Sequence, residues 1–493
     1  MKNVLLKMLF SCLLCSFVLT VKLFAQTIPD IPPSFSPNGY LSITSYGAST
    51  SNSDNTTQIQ NCINAAKTQN KDVYIPAGTF KRRTLTLDGI MMYGDGDTSI
   101  LSTTVTGDRH VILRNSNSKL YRLKLISNAT SRSQADADDG VNIYDGINCI
   151  IYGVTIEKAG AASILTRRSY NCIIAHCKTY DSFADSIHIT ENCHDFWIHH
   201  NEVYRCGDDG VAVVSYGGDG LPVVTNIVAY NNKIYDNYWG RGMSVVGGKN
   251  IVYHDNEVYR TLEWAPIIVT GESSYDTYPC ENIVIRNNKT VEGGGNHAAI
   301  LVHTSGSRGP SRNIRVENNY ILSPKRDGIR AEYNNESVII AGNIIENVAT
   351  NAIEIYQGSP KVTVVGNTIR KPEQYGIITI QNSSQLLIDK NMFYDISASA
   401  NAHDVIGVSA ATPTRLQVTN NTHSQPGGYS GDRFIDVPSA SNVRVSGNVS
   451  PWSVNVPANS GNQPPVANNF TLAVLKSDRS AIKIATTTFL ANT

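Results

Sequence analysis

The segments NIVAYNNKI (226–234), NIVYHDNEV (250–258), NIVIRNNKT (282–290), NIRVENNYI (313–321), SVIIAGNII (337–345), KVTVVGNTI (361–369) and QLLIDKNMF (385–393) are variants of one phrase. The asparagine late in each, with one more upstream, falls at 201, 232, 256, 288, 319, 343, 367 and 391. The spacings are 31, 24, 32, 31, 24, 24 and 24. A base period of 24 with insertions of seven or eight is a solenoid signature. Each unit holds short alternating β runs broken by Asn or Gly, with no helical stretch between them, which predicts an all-β parallel β-helix. The recurrent Asn is expected at a turn, tolerating a left-handed backbone and bonding its amide to the Asn one rung away.

A second strand set reads DGVNI (139–143), ASILT (162–166), DSIHI (185–189), DGVAV (209–213), RGMSV (241–245), APIIV (265–269), AAILV (298–302), DGIRA (327–331), NAIEI (351–355) and YGIIT (375–379). Rungs stack about 4.8 Å apart, so residues at one repeat position form a column on the outer surface. The insertions at 216–225, 273–278 and 305–312 are expected to form loops on one side, the usual place for the walls of a binding face.

The chain has 493 residues, with 41 Lys+Arg against 41 Asp+Glu, so its formal net charge is zero. That balance argues against a nucleic-acid binder or a basic membrane-surface protein. Residues 1–26 read as a signal peptide: basic MKNVLLK, an apolar run Met8–Thr20, and Leu23-Phe24-Ala25 before Gln26. A lipobox at Leu13-Leu14-Cys15-Ser16 is the competing reading. Export makes the mature protein secreted or periplasmic, with no membrane partner. Cys62, Cys149, Cys172, Cys177, Cys193, Cys206 and Cys280 then remain, an odd number, and read as buried small hydrophobes rather than disulfides or a metal cluster. Residues 27–450 are assigned to the solenoid, 451–468 to a Pro/Asn/Ser-rich linker, and 469–493 to a truncated remnant resembling a cadherin-like or immunoglobulin-like module.

At the N-terminal end, Ile59, Cys62, Ile63 and Ala66 have helical spacing after Asp54-Asn55, predicting a short helix over 56–67 that covers the open end of the sheet. This helix followed by VYIPAGTF (73–80) resembles the start of the pectate-lyase-like right-handed parallel β-helix superfamily, a likeness that covers roughly 40–450.

Asp185 and Asp209 are 24 residues apart, at one position on adjacent rungs, and Asp208 stands beside Asp209 in CGDDG (206–210). Three carboxylates are thus expected on one outer surface, and like charges so close predict that one pKa is raised. A raised carboxyl beside an ionised one suits glycosidic-bond cleavage, with an acid for the leaving oxygen and a base for water. Asp-Gly is also ordinary turn chemistry, and Asp139-Gly140 and Asp327-Gly328 fall at the same repeat position. His188 is outward because Ile187 and Ile189 point in, and Arg241 shares the column of Asp185 and Asp209. Trp264, Trp239 and Tyr238 lie at loop positions one or two rungs on, where aromatic faces can stack on sugar rings. His194, His199 and His200 are close in sequence, but alternation along a strand sends neighbours to opposite faces, which argues against a metal site.

The order DSFADSIHI, CGDDGVAVVS, WGRGMSVVGG over 181–248 resembles the polygalacturonase-type glycoside hydrolases and, at least as closely, glycoside hydrolase family 87, the α-1,3-glucanases. The resemblance implies a secreted, inverting polysaccharide hydrolase acting on an α-linked glycan, α-1,3-glucan or galacturonan-like. Asp208 would be the general acid, and Asp185 and Asp209 would hold and activate the water. His188, Arg241, Trp264, Trp239 and Tyr238 would contact substrate. The chain departs from the polygalacturonase pattern in three ways. Phe183 replaces the motif asparagine, Arg241 replaces the motif histidine, and the arginine–lysine pair that binds a uronate has no counterpart. No cofactor is expected, and the partner is an extended polysaccharide met by a monomer. The alternatives are a Ca²⁺-dependent polysaccharide lyase with Arg241, Lys233 or Lys249 as base, a C5-epimerase (though its DPH motif is absent), and a non-catalytic glycan-binding adhesin.

Overall fold

The computed structural model describes residues 35–456, except 360, 381–384, 399–402, 409–414, 429–430 and 438–441. The expected signal peptide and the 469–493 remnant lie outside the described residues. The chain winds as a right-handed solenoid with three strands per turn, all paired parallel between successive turns. One face carries strands such as Tyr170–Ala175, His194–His199 and Thr225–Tyr230. The next carries Lys178–Tyr180, Glu202–Tyr204 and Lys233–Tyr235. The third, which supports the site, carries Ile164–Arg167, Ile187–Thr190, Val211–Val214 and Met243–Val246. Its register aligns Ile164, Ile187, Val211, Met243, Ile267 and Ile300 in one column.

Inward residues of all three faces merge into one continuous apolar core of Ile, Val and Leu. The seven cysteines are buried within it as free thiols. The helix runs Thr56–Gln69 and buries Ile59, Cys62, Ile63 and Ala66 against the first rungs, as expected. The Asp54 carboxylate accepts the Thr56 N–H at 2.8 Å at its start.

The asparagine ladder lies inside the corner between the first two faces. Asn288 is representative. Its Nδ2 donates to Asn319 Oδ1 and to the Tyr253 carbonyl, its N–H donates to Asn319 Oδ1, and its own Oδ1 accepts from Asn256. The pattern repeats from Asn201 to Asn421. The left-handed residue is not the ladder asparagine, as anticipated, but the one before it: His200, Asn231, Asp255, Asn287 and Asn318 have φ between 53° and 55°. That residue turns the corner, so the asparagine behind it can point inward and satisfy buried carbonyls. The same corner overturns the alternation argument at 199–200. Because His200 is left-handed, with φ 55°, it does not swing to the far face from His199.

The solenoid also outlasts its expected end at 450. Val454–Asn455 pairs parallel with Ile435–Asp436, and Trp452 packs on the core, so 451–456 form part of the last rung rather than a linker. Among the described residues, no helix is long and apolar enough to cross a membrane.

Candidate active site

A cleft of about 500 Å³ opens on the third face. Two of the insertions, 216–225 and 273–278, help wall it, and the third, 305–312, braces them: Tyr216 bridges Thr277, Gly217 N–H donates to the Asp276 carbonyl, and Arg308 pairs with Asp276 at 2.6 Å. Tyr216 and Tyr275 face the cleft from these loops.

The floor is the expected column. Asp185, Asp208 and Asp209 each place a carboxylate oxygen within 4.8 Å of the other two. Two residues ahead of each strand, the chain leaves an N–H for the rung below. Asp185 Oδ1 accepts the Asp209 N–H at 2.8 Å, and Asp209 Oδ1 accepts the Arg241 N–H at 2.7 Å. Asp139 does the same for Ala162 at 2.7 Å. The remaining oxygens differ. Asp185 Oδ2 meets His188 Nδ1 at 2.5 Å. Asp209 Oδ2 accepts from Ser244 Oγ at 2.5 Å and meets Arg241 Nη1 at 3.5 Å. Asp208 sits on the loop, and its Oδ2 takes Arg132 Nη2 at 2.6 Å. The Trp239-Gly240-Arg241 turn closes tightly on Asp208, since a Cβ on Gly240 would come within 2.2 Å of the Asp208 carbonyl carbon.

These environments separate the three acids. Burial pushes Asp208 up, the charges of Asp185 and Asp209 add to it, and Arg132 offsets only part, leaving it at about 7. Burial also raises Asp209, against the pull of Arg241 and Ser244. For Asp185, the His188 ring, the Asp209 N–H and Arg132 outweigh burial and hold it below the usual carboxylate range. His188 is correspondingly raised: burial opposes its charge, but Asp185, Asp209 and Asp139 prevail. Arg241 is anchored on its far side by Glu272, whose own pKa burial raises. The site therefore holds one carboxyl that is protonated just below neutrality beside one that stays ionised, which is the pairing for general acid–base chemistry.

Of the anticipated substrate contacts, His188, Arg241, Trp239 and Trp264 line the cleft. Trp264 packs on His297 with ring centroids 4.7 Å apart. Trp239 is 47% exposed, with the Arg132 guanidinium 5.8 Å from its ring centroid. Tyr238 departs from expectation. It stands on the bend ahead of Trp239, outside the cleft lining, with its hydroxyl against Gly207. Of the cations considered for a lyase, only Arg241 lines the cleft. Lys249 pairs with Glu281 at 3.2 Å, and Lys233 lies on the second face.

Sequence reasoning missed Arg132, Glu272, Tyr216, Tyr275, His297 and Ser244. Ser244 was within reach, since it occupies the His188 column one rung past Ala212. Asp139, read as a turn former, also borders the cleft. Burial lifts it to about 8.

The family model for a right handed beta helix region matches residues 88–224 and 280–393, just over half the chain. No curated protein matches the chain significantly. Among solved structures, the catalytic unit of a thermostable GH87 alpha-1,3-glucanase from Streptomyces thermodiastaticus strain HF3-3 is similar with TM-score 0.58 and 17% identity, covering 87% of this chain and 72% of that one. The Agl-KA catalytic domain is similar with TM-score 0.56 and 19% identity, over 69% and 67%. The Streptococcus pneumoniae surface protein and adhesin PfbA is similar with TM-score 0.52 and 13% identity, over 75% and 100%. At such identities the likeness is one of fold, and that fold serves enzymes and an adhesin alike.

Proposed function

Because this chain belongs to the right handed beta helix family, and function is argued from the site that a fold carries, we propose that its aspartate cleft hydrolyses glycosidic bonds of an extended, α-linked polysaccharide outside the cell. The observation that carries this reading is the divergence of pKa within one triad: Asp208 is lifted to about 7 while Asp185 is lowered, with their oxygens within 4.8 Å. Asp208 protonates the leaving glycosidic oxygen. Asp185 and Asp209 orient a water and take its proton, and His188 and Ser244 keep their second oxygens aimed. The chain lies across the rungs, with sugar rings against Trp239 and Trp264. Inversion of the anomeric centre is the stereochemical outcome proposed, on the sequence resemblance and not on the carboxylate spacing.

The glucanase catalytic units that share the fold make α-1,3-glucan the first polymer to assay, followed by galacturonan and other plant, fungal and algal glycans. New reducing ends are measured, and NMR of the first product identifies its anomer. Asp208→Asn should abolish turnover and preserve folding. Full turnover in that variant would refute Asp208 as the acid, and no turnover by the wild type on any polymer of the panel would leave a glycan-binding solenoid.

The oxygens of Asp185, Asp208 and Asp209 also form a set that suits Ca²⁺, which favours a lyase as the second reading. In that case the ion would be held by these three carboxylates and Arg241 would face the acidic carbon. A product absorbing as an unsaturated uronate, lost with chelator and restored by Ca²⁺, selects the lyase. Chelator-resistant release of saturated reducing ends selects hydrolysis.

A further inference from the structure

At the corner between the first two faces, away from the cleft, three imidazoles come together. His176 and His200 follow the strands Tyr170–Ala175 and His194–His199, and both are left-handed, with φ 54° and 55°. Each therefore marks the same corner of adjacent turns, and their rings stack at 4.8 Å with 9° between planes. His199, the last residue of its strand, points outward by alternation from buried Ile198. The left-handed turn keeps His200 on that side too, with its ring at 86° to that of His199. One ring nitrogen from each of the three lies within 4.8 Å of the others. None of the three lines the cleft.

The contact between His199 Nδ1 and His200 Nδ1, at 3.0 Å, is chemically specific. A neutral imidazole has one N–H and one lone pair, so two facing nitrogens this close need a proton or a cation between them. On its other side, His200 Nε2 meets Asn231 Nδ2 at 3.2 Å. The two ends of an amide exchange by a half-turn of the side chain. Turned so that the Asn231 oxygen accepts from Nε2–H, the amide leaves the His200 Nδ1 lone pair directed toward His199. This is the arrangement in which an outer partner fixes the tautomer of a metal-binding histidine. Tyr230 stacks on His199 at 4.8 Å and Tyr152 packs on His176 at 4.9 Å, so the rings are held from above and below.

We infer that His176, His199 and His200 form a site for a borderline divalent transition metal, with Zn²⁺ as the reference ion. Imidazole nitrogens suit Zn²⁺, Cu²⁺ and Ni²⁺, whereas Ca²⁺ and Mg²⁺ need oxygens. Bonds of about 2.0–2.1 Å to three nitrogens, with water in the fourth position, require nitrogens a little over 3 Å apart, as roughly found for His199 and His200. Binding moves the shared proton of His199 to its Nε2 and releases none from neutral rings. His176 precedes Asp185 by nine residues and His200 precedes Asp209 by nine. The metal thus ties together the same two turns that contribute the aspartates, pinning their register.

The test uses the untagged, full-length protein stripped of metal. Isothermal titration should give one equivalent of Zn²⁺ bound. At a hundredfold excess over Kd the melting temperature should rise by about 3 °C. Co²⁺ in its place should give the intense visible bands of a tetrahedral nitrogen site. His176→Ala and His200→Ala should abolish the bands and the shift, with circular dichroism confirming the fold. Asn231→Leu, which leaves all three ligands, should weaken binding about 10–100-fold. His194→Ala, whose ring pairs instead with Asp195, should change nothing. Zn²⁺ binding that survives the His176→Ala/His200→Ala double variant, that disappears in Asp185→Asn, or that is absent from the wild type would overturn the assignment.

Discussion

Replacing Arg132 with alanine should move the alkaline limb of the pH–rate profile upward by about one unit. Arg132 Nη2 lies 2.6 Å from Asp208 Oδ2, and the two side chains are 41% and 16% exposed. At charge centres about 4 Å apart and an effective dielectric near 20, such a pair is worth about 4 kcal/mol. The arginine is open to water, and screening reduces that to about 1–2 kcal/mol. Since 1.36 kcal/mol corresponds to one pKa unit, the acid at about 7 should rise to about 8. The sign follows from the charge. A cation favours the ionised carboxylate, so losing it keeps the proton on Asp208 to higher pH, and an acid catalyst then works further into the alkaline range. The acid limb, set by Asp185, should move less, because Arg132 is the last of the causes acting on it. The measurement is kcat/KM from pH 4 to 10 on the polymer that the screen selects, for wild type, Arg132→Ala and Arg132→Lys. Lysine keeps the charge and should keep the limb. An unmoved limb in Arg132→Ala, or one displaced downward, refutes the assignment of that limb to Asp208.

Trp264→Ala should raise KM about tenfold with a smaller change in kcat, since a stacking face binds ground and transition states alike; steady-state kinetics separates the two. Asn288→Ala should cost about 3–5 kcal/mol in urea unfolding, because it leaves the Asn256 N–H and the Tyr253 carbonyl buried without their partner; a loss under about 1 kcal/mol would mean that the ladder is not a stabilising element. Asp139 holds its proton in the folded state up to about 8 against 3.8 for the free group. The folded state therefore binds more protons through that window, and stability falls as pH rises across it, by up to about 1.4 kcal/mol per unit. Thermal melts from pH 4 to 9 should show this decline, and Asp139→Asn should flatten it.

The fold was legible because its stabilising element is written as a period. The asparagines recur at the rung spacing, and their hydrogen bonds reach the next asparagine in line. Where local geometry breaks the period, reading by spacing failed. His199 and His200 share a side because one residue is left-handed. The rung at 451–456 has no ladder phrase to announce it. In the site, Asp185, Asp209 and Arg241 were legible as one column, and His188 by alternation. Arg132 was not. It is 76 residues from Asp208 and sits on an insertion outside the repeat, so no spacing connects them. Glu272 escaped likewise, since it follows its strand at the start of an irregular loop. Tyr238 was misplaced because a loop position tells which residues are near a cleft but not which way each ring points.

The aspartate column also shows why a turn-forming role and a chemical role need not compete. Asp139, Asp185, Asp209 and Asp327 each bond the N–H of the next rung through one oxygen. That bond is structural and is present whether or not any chemistry occurs. The other oxygen is what differs: it meets Asn142 at Asp139, His188 at Asp185, and Ser244 with Arg241 at Asp209. One oxygen fixes each carboxylate to the backbone, so the aim of the second is set by rung stacking rather than by rotamer choice, which is the pre-organisation that acid–base chemistry requires. Asp208 lacks this tether. It projects from the loop, held by Arg132, and is the proposed acid, whose proton would leave for the substrate. A fixed pair of bases beside a less constrained acid follows from adding one aspartate, outside the column, to a position the repeat already supplies.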